Sequence, residues 1–224
     1  MTKRLLAAAV VAAGAVLASG TASAELFGLQ HGRSANPASM DTMSVEGGIT
    51  RSSDLFTIGG RFNYKLNDNL TIYGDLGHSE YDYGWYSDAD GFSIGGGVYY
   101  FLDNQRFTDF LDMAFHGSLH MAQLEGSRYR YSSYYYRSGD MDYMTAVFDM
   151  LVSPVEPVLD NGFSWYASAG LGHLRMDPEW GPSDDSIELL ASGGITLPLG
   201  PGELFAGGEL FDEVNIGAGY RYGF

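Results

Sequence analysis

From Val214 to Phe224 the sequence alternates. Val214, Ile216, Ala218, Tyr220, Tyr222 and Phe224 fall on one face, and Asn215, Gly217, Gly219, Arg221 and Gly223 on the other. Side chains with period two belong to a strand, here with one apolar face and one small or polar face. An aromatic ring at the end of such a strand sits well at a lipid–water boundary. The tail therefore points to a strand that crosses a membrane.

The N-terminus agrees. Lys3 and Arg4 make a positive start, Leu5 to Leu17 is apolar, and Ala22-Ser23-Ala24 has the small-x-small pattern of a signal-peptide cleavage site. The apolar run is short of the ~20 residues a spanning helix needs. Residues 1–24 are expected to be a removed signal peptide, leaving 200 of the 224 residues, a length for one domain.

No later run is long and apolar enough for a transmembrane helix, yet 45% of the chain is apolar. Export without a spanning helix leaves a soluble periplasmic protein or a barrel. Loss of Lys3 and Arg4 takes the formal charge from −16 to −18. Such an acidic body repels nucleic-acid phosphates, which excludes DNA and RNA as partners. With no cysteine there is no disulfide, thiolate nucleophile or thiolate metal site.

Ten segments alternate, each near the length of a membrane strand. They are 42–51, 55–66, 70–80, 92–102, 110–124, 142–152, 163–174, 187–197, 203–211 and the tail. Asn67-Asp68, Asp103-Asn104 and Gly200-Pro201-Gly202 are turn sequences on one side, joined there by a longer turn from Ser153 to Asn161. On the other side lie long polar segments, Tyr81 to Asp90, Glu125 to Asp140 and Arg175 to Ser186, with short connections near Ser53 and Asp212. The expected fold is all-β: a closed antiparallel transmembrane β-barrel of about ten strands, with eight as the alternative. Residues 42–224 form the barrel, and 25–41, which lack a clear period, form a periplasmic lead-in. A lipocalin-like soluble barrel is the competing architecture, and it would reverse every face.

The signal sequence, the alternation, the asymmetric connections and the ending Tyr220-Arg221-Tyr222-Gly223-Phe224 resemble small outer-membrane β-barrel proteins of Gram-negative bacteria, broadly the OmpA/OmpX-like class. The resemblance implies an outer-membrane location. It implies outer-membrane lipid and lipopolysaccharide as surroundings, and recognition of Tyr220, Tyr222 and Phe224 by the barrel-assembly machinery.

Inside such a barrel the polar faces bring together Glu46, Arg61, Lys65, Asp75, Asp112, Asp149, Glu188, Glu209 and Arg221. A barrel of this size is narrow and filled by side chains, so these charges are expected to pair as a lumenal network. The excess of acids leaves a narrow, cation-preferring channel as the alternative. Asp112, His116 and His120 share a face, but steps of four residues are ~13 Å apart, too far to share one metal, so neither metal nor cofactor is expected. In His78-Ser79-Glu80 the serine points away from the other two, so no local relay forms. A lipid A deacylase-like enzyme is the remaining reading, without a matching motif. The segment Arg128-Tyr129-Arg130-Tyr131-Ser132-Ser133-Tyr134-Tyr135-Tyr136-Arg137 combines three arginines with five tyrosines, residue types that dominate binding hot spots. It is expected to lie against lipopolysaccharide phosphates or to recognise a cell-surface ligand, with Tyr81, Tyr83, Trp85 and Tyr86 extending it. Asp177, Asp184 and Asp185 lack calcium-loop spacing and read as solvated acids. The role implied is envelope integrity or adhesion.

Overall fold

The computed structural model describes residues 29, 32–36, 41–82, 88–102, 108–126, 128–131, 134–137, 139–179, 183–211 and 213–224, with the side chains of 128–131 and 134–137 excepted. The expected signal peptide lies outside these residues.

Ten strands close into one antiparallel barrel. In chain order they are β1 (Met43–Arg51), β2 (Leu55–Asn67), β3 (Leu70–Asp82), β4 (Asp88–Phe101), β5 (Leu111–Gly126), β8 (Met141–Pro154), β9 (Ser164–Pro178), β10 (Asp184–Leu199), β11 (Gly202–Phe211) and β12 (Glu213–Gly223). Each pairs with its neighbour, and β1 closes on β12. Closure leaves no strand edge unpaired, as hydrocarbon requires. β6 (Arg128–Tyr131) and β7 (Tyr134–Arg137) form a separate hairpin between β5 and β8.

The alternation read from the sequence sets the two faces. Leu76, Phe92, Ile94, Phe148, Leu171 and Ile216 are exposed on the outer wall, while Glu46, Arg61, Asn63, Asp75 and Asp149 are buried inside. Exposing that much apolar area to water would be costly at ~25 cal/mol per Å². The same wall is at home in lipid, and a soluble barrel would have the opposite faces. Among the described residues no helix is long and apolar enough to cross a membrane. Ten strands, alternating faces and closure define a transmembrane β-barrel, with the start of β1 and the end of β12 at the short-turn end. There Met43 and Phe224 exchange backbone hydrogen bonds of 3.2 and 2.9 Å. Gly200 sits at φ 61° in the turn between β10 and β11, a conformation that costs other residues energy.

Two features differ from the sequence expectation. The polar ends of several strands continue past the apolar stretch: β3 reaches Asp82, β4 starts at Asp88, β9 reaches Pro178 and β10 starts at Asp184. A backbone ladder needs no apolar side chains, so strands run on into water where the hydrophobic period has already stopped. Tyr81, expected in a surface patch, instead points inward and is buried among Leu55, Leu124, Tyr143 and Leu174.

The second difference concerns the lead-in. Its residues 29 and 32–36 lie inside the barrel and at its rim. Leu29, Gly32, Arg33 and Ala35 are buried within it. The Arg61 guanidinium donates to the Leu29 carbonyl at 2.8 Å, and the Ala35 N–H donates to Ser153 Oγ at 2.8 Å. Asn36 donates to the Val155 carbonyl at 2.9 Å, at the short-turn rim. The irregular backbone there is satisfied by the barrel interior, as a buried non-repeating segment must be.

Candidate functional site

The inner wall carries one cross-strand row of alternating charge. The register pairs Glu203 of β11 with Arg221 of β12, Arg221 with Glu46 of β1, Glu46 with Arg61 of β2, and Arg61 with Asp75 of β3. Opposite charges directly across a ladder attract, and here Arg221, Glu46 and Arg61 each have an opposite charge on either side. Arg221 reaches Glu203 at 2.8 Å and Glu46 at 2.9 Å, and Arg61 reaches Asp75 at 2.9 Å.

Glu46 is the hub. Its Oε1 accepts from Arg33 at 2.8 Å, from Asn63 at 2.8 Å and from Arg221 at 2.9 Å, while Arg61 lies 4.0 Å from Oε2. The row then crosses β4 at Gly95, the register partner of both Asp75 and His120. A side chain at Gly95 would collide with the His120 ring. Glycine there lets His120 lean across and bond Asp75 at 3.1 Å.

A second chain of polar contacts runs along the neighbouring wall. Tyr73 Oη lies 2.8 Å from His116 Nε2, and His116 Nδ1 lies 2.9 Å from Asp149 Oδ2. Tyr99 stacks on His116 with centroids 4.6 Å apart. Arg61 lies 4.2 Å over the Tyr73 ring and Arg33 5.1 Å over Tyr99, so the buried cations also meet aromatic faces. Tyr73, Tyr99, Phe101, Leu151 and Tyr166 pack with Ala35 into one buried cluster. Toward the long-loop end the lumen turns apolar, filled by Leu55, Tyr81, Leu124, Met141, Tyr143, Leu174, Leu190 and Phe211. At the short-turn end it opens into a cavity of about 580 Å³ beside Arg33, Asp41, Glu203 and Arg221.

Of the charges grouped from the sequence, Glu46, Arg61, Asp75 and Arg221 meet in the row, and Asp149 joins the His116 chain. Lys65 pairs instead with Asp68 at 3.2 Å, at the turn after β2. Asp112, Glu188 and Glu209 sit on β5, β10 and β11. Arg33, Glu203 and the two histidines were missed as partners. The sequence held one signal for them: the inferred inner face carried six acids against three bases, and buried acids demand counter-charge.

Inside the lumen Ser79 bonds Thr57 at 2.8 Å, while on the outer wall His78 packs on Phe92. Among the described residues there is no cluster of metal-ligating side chains. The β6–β7 hairpin pairs Arg128 with Arg137, Tyr129 with Tyr136, Arg130 with Tyr135 and Tyr131 with Tyr134. The side chains of this hairpin, Ser132 and Ser133, and Tyr83, Trp85 and Tyr86 lie outside the described residues.

No protein-family model matches the chain, and no curated protein matches it. Among solved structures it is similar to the N-terminal β-barrel domain of OprF from Pseudomonas aeruginosa, at 14% identity and TM-score 0.36, covering 82% of this chain and 98% of that one. LpxR from Salmonella typhimurium aligns at 7% identity and TM-score 0.43, over 81% of this chain and all of its own. Ail, the attachment invasion locus protein of Yersinia pestis, aligns at 16% identity and TM-score 0.30, over 82% and 100%. At these scores the similarity assigns no role, and the architecture rests on the strand pairing of this chain.

Proposed function

We propose that this chain is an integral outer-membrane β-barrel that does not conduct, with a structural or surface-interaction role in envelope integrity or adhesion. One observation carries the reading: the lumen is occupied from within. The segment around Arg33, the alternating charge row and the apolar layer at the long-loop end together fill a barrel already narrow at ten strands. Glu46, Asp75 and Glu203, acids that would draw cations into an open barrel, are paired with Arg33, Arg61 and Arg221.

In this reading residues 1–24 direct export and are removed, and Tyr220, Tyr222 and Phe224 are read by the barrel-assembly machinery. The long-loop end, with the hairpin that carries Arg128, Tyr129, Arg130, Tyr131, Tyr134, Tyr135, Tyr136 and Arg137, faces lipopolysaccharide and any cell-surface ligand. The short-turn end faces the periplasm.

Planar-bilayer recording on the refolded protein tests closure. The expected trace has no unitary steps. Steps with a cation-selective reversal potential would replace this reading with the narrow channel.

A further inference from the structure

The β6–β7 hairpin keeps the register of the wall from which it rises. Leu124 of β5 pairs with Met141 of β8, and four residues further along each strand Arg128 pairs with Arg137. Equal spacing on both strands lets period two run on from wall to hairpin. Ribbon twist turns the two faces but does not exchange them.

The faces that result differ in chemistry. Tyr129, Tyr131, Tyr134 and Tyr136 fall on the face that continues Met121, Gln123, Glu125 and Asp142, the lipid side of the barrel. Arg128, Arg130, Tyr135 and Arg137 fall on the face of Leu124 and Met141, which are buried in the lumen. The sequence interleaves the two residue types, and the register sorts them.

Height selects what the outer face meets. On β5 and β8 the apolar outer row ends at Met121 and Met144, and the next outer pair is Gln123 and Asp142. β6, Arg128–Tyr131, begins five residues past Gln123 and ends eight past it. At ~3.3 Å per residue and a tilt of ~40°, that strand stands roughly 12–20 Å above the apolar edge. The headgroup zone of a bilayer fills only about the first 5–8 Å. The hairpin therefore stands in the sugar layer above the lipid A phosphates.

Charge on the wall below argues the same way. Glu80, Asp90 and Glu125 form one exposed register row, with His78 3.9 Å from the first two. On β9, Arg175 and His173 are held by Asp177 and Asp185 at 2.8 Å each. Such an acidic wall repels phosphate, which leaves contact with lipopolysaccharide to uncharged groups.

We propose that the tyrosine face of the hairpin docks the core saccharide of lipopolysaccharide in the surrounding leaflet. Tyr129 lies opposite Tyr136, and Tyr131 opposite Tyr134. These positions are ~5 Å apart across the ribbon and ~7 Å along it, the scale of successive sugar rings. The negative face of an aromatic ring attracts the C–H face of a pyranose, and the phenol bonds sugar hydroxyls. Continuity names the occupant: the same face, lower down, is the barrel's contact with lipid. The inference rests on the outer-membrane reading. A chain that stays monomeric in water without detergent defeats both, whereas a detergent-dependent barrel that ignores core saccharide defeats only this one.

The test is microscale thermophoresis of the full-length refolded protein in detergent, titrated with core oligosaccharide freed from lipid A, with lipid A alone, or with heparin. Heat-modifiable migration checks the folding of each sample. Core oligosaccharide is expected to bind at least about tenfold more tightly than the other two. It should stay bound in ~1 M salt, which screens charge beyond ~3 Å. Tyr129→Ser with Tyr136→Ser, and separately Tyr131→Ser with Tyr134→Ser, should each weaken binding about tenfold, the worth of a stacked ring. Tyr129→Phe with Tyr136→Phe keeps the rings and should stay within about threefold of the parent. Tyr64→Ser, at the short-turn end of β2, should change nothing. Equal binding of lipid A or heparin, release in high salt, serine pairs that bind like the parent, phenylalanine pairs as weak as the serine ones, or an equal loss in Tyr64→Ser would each overturn the proposal. Should the serine pairs unravel the ribbon, amide NMR of the parent protein decides. Core oligosaccharide is expected to shift the amides of Tyr129, Tyr131, Tyr134 and Tyr136, and unmoved amides overturn the proposal.

Discussion

Glu46 concentrates the physics of the lumen in one side chain. It is 5% exposed and holds Arg33, Arg61, Arg221 and Asn63 around it. A buried pair is weak evidence for stability by itself, but removal of one partner leaves an uncompensated charge in a poor dielectric. Glu46→Gln keeps the shape and strips the charge from the centre of three guanidinium groups. It is expected to destabilise the barrel by ~3–5 kcal/mol, read as a lowered midpoint in guanidinium unfolding from vesicles. An unchanged midpoint would mean that water, not Glu46, balances the arginines. Glu46, Arg61, Asp75 and Arg221 were all legible in the sequence as inward charges, because period two alone assigns the face. Their partnership with Arg33 was not. Arg33 sits in a segment without a period, and nothing local says where such a segment goes.

At the scale of the strand, alternation gave both the number of elements and their orientation. The ten segments correspond to the ten barrel strands, with ends that differ by up to several residues. The shortfall lies where strands run on in water, at 81–82 and 184–186, since the hydrophobic period marks the lipid crossing and not the hydrogen-bonded ladder. The same logic yields a mutational asymmetry within one strand. Phe148 of β8 faces outward at 62% exposure, and Asp149 beside it is buried in the lumen. A charge on the lipid side near mid-membrane costs ~2–4 kcal/mol. Phe148→Arg should therefore lower folded yield and unfolding midpoint in bilayers by that amount. Retention of wild-type stability in lipid would contradict the assigned face.

For the whole molecule, the barrel and the hairpin at its long-loop end are separate sheets. Deletion of Arg128 to Arg137 removes β6 and β7 and no barrel strand. Heat-modifiable migration should persist and the unfolding midpoint should shift by less than about 1 kcal/mol, since long surface loops change stability little with length. Binding to lipopolysaccharide or surface glycans should fall in pull-down assays. Loss of the folded band would instead make the hairpin part of the barrel's stability. What the sequence could not convey at this scale is register. Alternating charge around five strands emerges only once neighbours are aligned, because it combines residues far apart in the chain.

The buried N-terminal segment also bears on how the cylinder is fastened. Arg33 from that segment bonds Glu46 on the first strand, and Arg221 on the last strand donates to the Gly32 carbonyl. The segment thus acts as a clasp across the junction where the first and last strands meet. Sideways unzipping of that junction, a route by which a barrel could open to lipid, would first require the clasp to be drawn out through the short-turn mouth.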